Sequence, residues 1–188
     1  MKIEQEKLIE DLISRTQEII DQAEMYKKLP ADQVNWKPIP EKWSILECLE
    51  HLNLYGDFYL VEIEKRILNS KSHAAKQFNS GFLGNYFANS MLPKNRKIRK
   101  MKTFRDKDPS NSHLDQLTID RFLKQQYLMI ELLKKAQSVN LNKVKTSITV
   151  PVIKLKLGDT FRVVIYHNER HLLQAEKVLN DFNNTTNN

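Results

Sequence analysis

The chain has 188 residues with a formal net charge of +7, 28% charged residues, only 4 glycines and 6 prolines, and one cysteine. A mean hydropathy of -0.55 and the absence of any apolar run near the roughly 18 residues that a bilayer demands exclude a membrane span. The lone Cys48 excludes an internal disulfide framework, and the positive charge permits attraction to nucleic acid, an acidic surface or an anionic small molecule without choosing among them.

The opening MKIEQEKLIEDLIS is acidic and polar where a signal peptide would be apolar, so a cytoplasmic location is expected. Scarce helix breakers and this length predict one all-α domain over 1–180, with a frayed tail from Asn180 and a flexible end at 181–188. The first helix is expected from Ile3 to about Lys28, with Leu8, Leu12, Ile19, Ala23 and Tyr26 on its apolar face. Asp32–Lys42 holds Pro38 and Pro40 and reads as an extended connection, with Trp36 plugging back onto the helices.

Ser44 followed by Glu47 has the spacing of a capping box, with Trp43 placed to staple onto the first turn. The second helix should run from Ile45 to about Asn69. Gly56 inside it calls for a close helix or ligand contact, since glycine costs roughly 1 kcal/mol relative to alanine there. The pattern breaks over 70–112, leaving a short aromatic helix near Gly81–Ser90. Then comes Lys94–Lys107, which carries eight lysines or arginines in fourteen residues and is expected to cross the surface anchored by Ile98, Met101 and Phe104. Ser112 and Asp115 mark a third long helix to about Val139, with Leu117, Phe122, Tyr127 and Leu133 in its buried stripe. Thr149–Leu157 alternates like an extended piece but shows no partner strand, so it reads as a packed crossover. Asp159 is expected to cap the fourth long helix. Four long amphipathic helices with long connections predict a four-helix bundle.

The chemistry gathers on two of these helices. His167 and His171 are four residues apart, which stacks two imidazoles on one helical face. If the second and fourth helices are neighbours, His51 joins them to give three histidines with an open fourth position, a common format for catalytic zinc and also suited to nickel or iron. Glu47, four residues before His51, is placed either to orient its ring or act as a base, or else to serve the capping box. Tyr55, four residues after it, is placed as a pocket wall or weak acid. Cys48 reads as a buried thiol. HNERH at His167–His171 lacks the glutamate of HExxH, and Glu169 and Arg170 read as solvated helix surface.

On these residues the chain resembles the DinB-like superfamily of metal-binding four-helix bundles, which includes bacillithiol S-transferases and mycothiol-dependent enzymes. The likeness rests on KWSILECLEHL at Lys42–Leu52, with Trp43, Ser44, Glu47 and His51, and on YHNERHLLQAEKVL at Tyr166–Leu179. The resemblance implies that His51, His167 and His171 hold a divalent metal, zinc or nickel, in a protein that is usually a homodimer. It also implies activation of a low-molecular-weight thiol such as bacillithiol for attack on an electrophile. The alternatives are a metal-dependent hydrolase, a metal-binding bundle without catalysis, and a basic-surface binder of nucleic acid using KNRKIRKMK with Phe104 for stacking.

Overall fold

The structure, a computed structural model, describes residues 1–93, 102–110 and 112–186. Its helices are α1 (Gln5–Lys27), α2 (Ala31–Asn35), α3 (Ile45–Leu68), α4 (Phe82–Met91), α5 (Gln116–Ala136) and α6 (Leu157–Thr186). Two antiparallel ribbons accompany them: β1 (Lys2–Glu4) pairs with β2 (Gln77–Asn79), and β3 (Lys145–Ser147) with β4 (Lys154–Lys156). The four long helices α1, α3, α5 and α6 form the bundle. Each of α1 and α3 packs on both α5 and α6, so α3 and α6 are direct neighbours. Among the described residues no helix is long and apolar enough to cross a membrane.

Side-chain caps start two of the long helices. The Ser44 hydroxyl accepts from the Glu47 amide at 3.1 Å while the Glu47 carboxylate accepts from the Ser44 amide at 2.9 Å, a complete capping box that starts α3. At α5 the cap is Asp115, whose carboxylate accepts from the Leu117 amide at 2.9 Å. Leu117 and Tyr127 leave the expected stripe and are 70% and 49% exposed, because Ile119, Phe122, Gln126, Met129 and Leu133 define the inward face. Gly56 does meet a close contact: a Cβ there would collide with the Gln125 side chain of α5, which is tied to Asn53 and Asp57 of α3.

Five expectations are corrected. The first helix begins at Gln5, since Lys2–Glu4 is spent on a strand whose Ile3 faces the fully buried Phe78. Within the Asp32–Lys42 connection, residues 31–35 form one helical turn, α2, whose Val34 is buried. The alternating stretch before α6 is no lone crossover, because it contains β4, paired with β3 in the register Thr146↔Leu155. Asp159 does not cap its own helix. The first amides of α6 are already taken by backbone carbonyls, Leu157 N by Val144 O at 3.0 Å and Gly158 N by Leu141 O at 3.4 Å. That frees the fully buried Asp159 to reach α4, where it accepts from the Gly81 amide at 2.8 Å and from the Ser80 hydroxyl. Arg162 completes this joint, pairing with Asp159 at 3.1 Å and donating to Ser80, Asn85 and Asn89. The tail is helical as far as Thr186, and Phe182 within it packs edge-on against Trp36 with ring centres 5.6 Å apart. The expected plug and the expected frayed end thus hold each other.

Of the basic segment, Lys94–Met101 lies outside the described residues, and with it the expected anchors Ile98 and Met101 and most of the proposed nucleic-acid surface. Arg105–Lys107 forms a short turn of 3-10 helix, and Phe104 is exposed.

Candidate metal centre

His51 sits two turns into α3, and the apolar neighbours Leu49 and Leu52 pull that face of the helix into the core. His167 and His171 stand one turn apart on the facing side of α6. The structure brings all three together. The ring centres of His51 lie 5.1 Å from His167 and 4.5 Å from His171, and those of His167 and His171 lie 4.7 Å apart. One nitrogen from each ring can be chosen so that all lie within 4.8 Å of one another. His51 Nε2 and His167 Nε2 are 3.3 Å apart. Two ligands bound to one zinc at 2.0–2.1 Å with tetrahedral angles would be separated by roughly 3.3 Å, so this pair already has the edge length that a shared ion requires.

The protonation pattern also fits. His51 Nδ1 lies 2.6 Å from the Lys107 carbonyl, and a carbonyl only accepts, so Nδ1 carries the hydrogen and Nε2 presents its lone pair to the cluster. His171 Nδ1 is similarly placed 3.1 Å from the Gln174 side-chain oxygen, turning its other nitrogen inward. Burial lowers the pKa of all three. His171 and His167 are depressed furthest, with the neighbouring imidazoles and Arg170 adding to the effect of burial. Three neutral rings with one nitrogen each in the shared cluster are a donor set for a borderline cation such as zinc or nickel.

The surrounding residues settle some of the readings left open and add contacts the sequence did not show. Trp43 lies against the imidazoles, 4.8 Å from His51 and 5.7 Å from His171 by ring centres, with its indole N–H donating to Ser110 Oγ at 3.1 Å. Glu47 does not orient His51. Its carboxylate serves the capping box and pairs with Lys37 at 2.6 Å, and the ring-orienting acceptor is the Lys107 carbonyl. Arg170 is only 4% exposed rather than solvated, because a spacing of three from His167 puts it on the same face. Glu169 points the other way and pairs with Arg15 at 2.8 Å. Lys107, read in the sequence only as part of a charged surface, contributes twice more, donating its ammonium to Leu54 O at 3.0 Å and holding it 5.8 Å from the Tyr55 ring centre. A backbone carbonyl leaves no mark in residue type, so nothing in the sequence could have flagged its first role.

Tyr55 is the wall that was expected, with its ring 5.0 Å from His51 and 4.8 Å from His167. Burial, reinforced by Tyr59 and Asp106, pushes its phenol up to about 12, so it stays protonated and able to donate. Cys48 is fully buried, and burial raises its thiol far above the ordinary range. Beside the imidazoles opens a cavity of about 840 Å³, bordered among others by Tyr55, Tyr59, Val163, Arg170 and Gln174.

A family model described as the DinB superfamily matches residues 14–175, a span that takes in Trp43, the capping box and all three histidines. No curated protein and no solved structure matches the chain.

Proposed function

Because this chain belongs to the DinB superfamily, we propose that His51, His167 and His171 hold one divalent metal and that the pocket beside them transfers a low-molecular-weight thiol to an electrophile. The observation that carries the proposal is the convergence of three imidazoles, His51 and His171 buried and His167 half-buried, one with its tautomer fixed by the Lys107 carbonyl, at the wall of a roomy cavity. A bound divalent cation would supply the positive charge that favours thiolate over thiol near neutral pH.

The chain's own residues do the remaining work. The imidazoles stay neutral through burial and keep their lone pairs available. Trp43 and Tyr55 cover the cluster on two sides. In the reaction the thiol gives up its proton to water at the pocket mouth. Its sulfur then forms a bond to the electrophilic carbon, and the carbon–leaving-group bond breaks, the leaving group departing with the electron pair. Where the electrophile is an epoxide, the Tyr55 hydroxyl is placed to donate to the oxygen that gains charge as the ring opens.

The test is a screen of untagged, metal-loaded protein with bacillithiol, glutathione and cysteine against alkyl halides, epoxides and quinones. Product that requires both thiol and metal, and that is lost in His51→Ala, is the expected result. Product formed at the same rate without thiol would replace transfer by hydrolysis.

A further inference from the structure

The cavity beside the imidazoles changes chemical character along its length. Trp43 and His171 lie at one end, and Tyr55 and His167 come next. Beyond them the wall continues through Tyr59, one turn further along α3, and through Val163 and Val164, one turn earlier on α6. Four residues at 1.5 Å rise add roughly 6 Å of wall past Tyr55 and His167. This arm is bordered by Ile148 and Val150 from the connection between β3 and β4, and by Phe87 and Met91 from α4. The Tyr59 hydroxyl is turned onto Thr149, 3.4 Å from its Oγ1, which leaves the ring face to the arm.

The charged lining residues gather at the opposite end. Glu41 and Lys42 precede Trp43, while Arg170, Lys177 and Asp181 follow His167 along α6. Lys102, on the 102–104 stretch, is the exception among the described residues. An unpaired charge in the apolar arm would lose its hydration without compensation, whereas each buried methylene strengthens binding by roughly fourfold.

We propose that the apolar arm seats an uncharged alkyl chain or aromatic ring of the electrophile, so that the substrate is a hydrophobic molecule whose reactive carbon sits at the Tyr55–His167 level. This rests on the metal-centre reading above. It assigns Val163 and Met91 as the residues that set the length of substrate accepted.

Straight-chain primary alcohols from butanol to dodecanol, titrated calorimetrically into zinc-loaded untagged protein, test the arm without requiring turnover. Affinity should rise roughly fourfold per methylene until the chain outgrows the arm, with a heat-capacity change that grows more negative along the series. Val163→Phe should move the plateau to shorter alcohols. Met91→Ala, at a half-buried position that tolerates truncation, should move it to longer ones. Affinity independent of chain length, or a plateau that stays in place in a folded variant of either kind, overturns the proposal. Zinc content measured on the same samples separates the two readings: full zinc without chain-length dependence sinks the arm alone, and failure of the wild-type chain to hold zinc sinks the metal centre together with it.

Discussion

Helix α6 carries two buried polar clusters, and they solve the problem of burial in opposite ways. Near its start, Asp159 and Arg162 find partners in each other, in Ser80 and the Gly81 amide, and in Asn85 and Asn89, leaving only Arg162 Nε without one. Two turns on, His167 and His171 meet His51, and one nitrogen from each ring lies within 4.8 Å of the others. The first cluster is completed by the protein and joins α4 to α6. The second is completed by the protein only on its outer side, where the Lys107 carbonyl and the Gln174 side chain hold the rings. The first arrangement is that of a structural joint, whereas three imidazoles gathered at one point, with carbonyl and amide partners behind two of them, are the arrangement of a ligand set.

The comparison can be broken most forcefully at Asp159. Asp159→Ala leaves Arg162 buried without its counter-charge and should cost about 3–5 kcal/mol in urea denaturation, equally with and without zinc. A loss that zinc restores would mean that the two clusters are not separate. His167→Ala should do the reverse. It should leave the metal-free fold within about 1 kcal/mol of wild type. It should also remove the stabilisation of about 2.7 kcal/mol that zinc gives at a free concentration one hundred times its dissociation constant, as read by thermal melts with and without zinc.

Acid sharpens the contrast further. The three imidazoles have folded-state values below the ordinary value of about 6.5 that they regain on unfolding. Below that pH the unfolded chain therefore binds more protons than the folded one, and stability rises with pH. Metal-free protein should hold its full stability above about pH 6.5 and lose it as pH falls toward the folded values, and His171→Ala should flatten that slope. An unchanged slope would remove His171 from the account. The smallest effect is expected at Ser44→Ala, which deletes half of the capping box and should cost about 1 kcal/mol with zinc stoichiometry intact.

Much of this was legible in the sequence because it rests on short-range periodicity. Four-residue spacing stacked His167 on His171, and Ser44 with Glu47 named the start of α3 to the residue. What could not be read depends on contacts between distant segments. Alternation over Thr149–Leu157 marked the extended piece that holds β4, but its three-residue partner β3 and both strands of the β1–β2 ribbon left no such mark and were missed. Asp159 has the composition of an N-cap, and only the placement of α4 shows that its partner is the Gly81 amide. Trp43 reached the imidazoles, and Arg170 turned inward, for reasons set by the packing of α3 on α6.

The central claim is that one ion is shared by imidazoles from α3 and α6. X-ray absorption on untagged, zinc-titrated protein measures it directly. One zinc per chain with three imidazole nitrogens at about 2.0–2.1 Å is expected, falling to two nitrogens or to no bound zinc in His51→Ala. Zinc bound with the same three-imidazole signature in that variant, or a wild-type chain that takes up no stoichiometric metal, would contradict it.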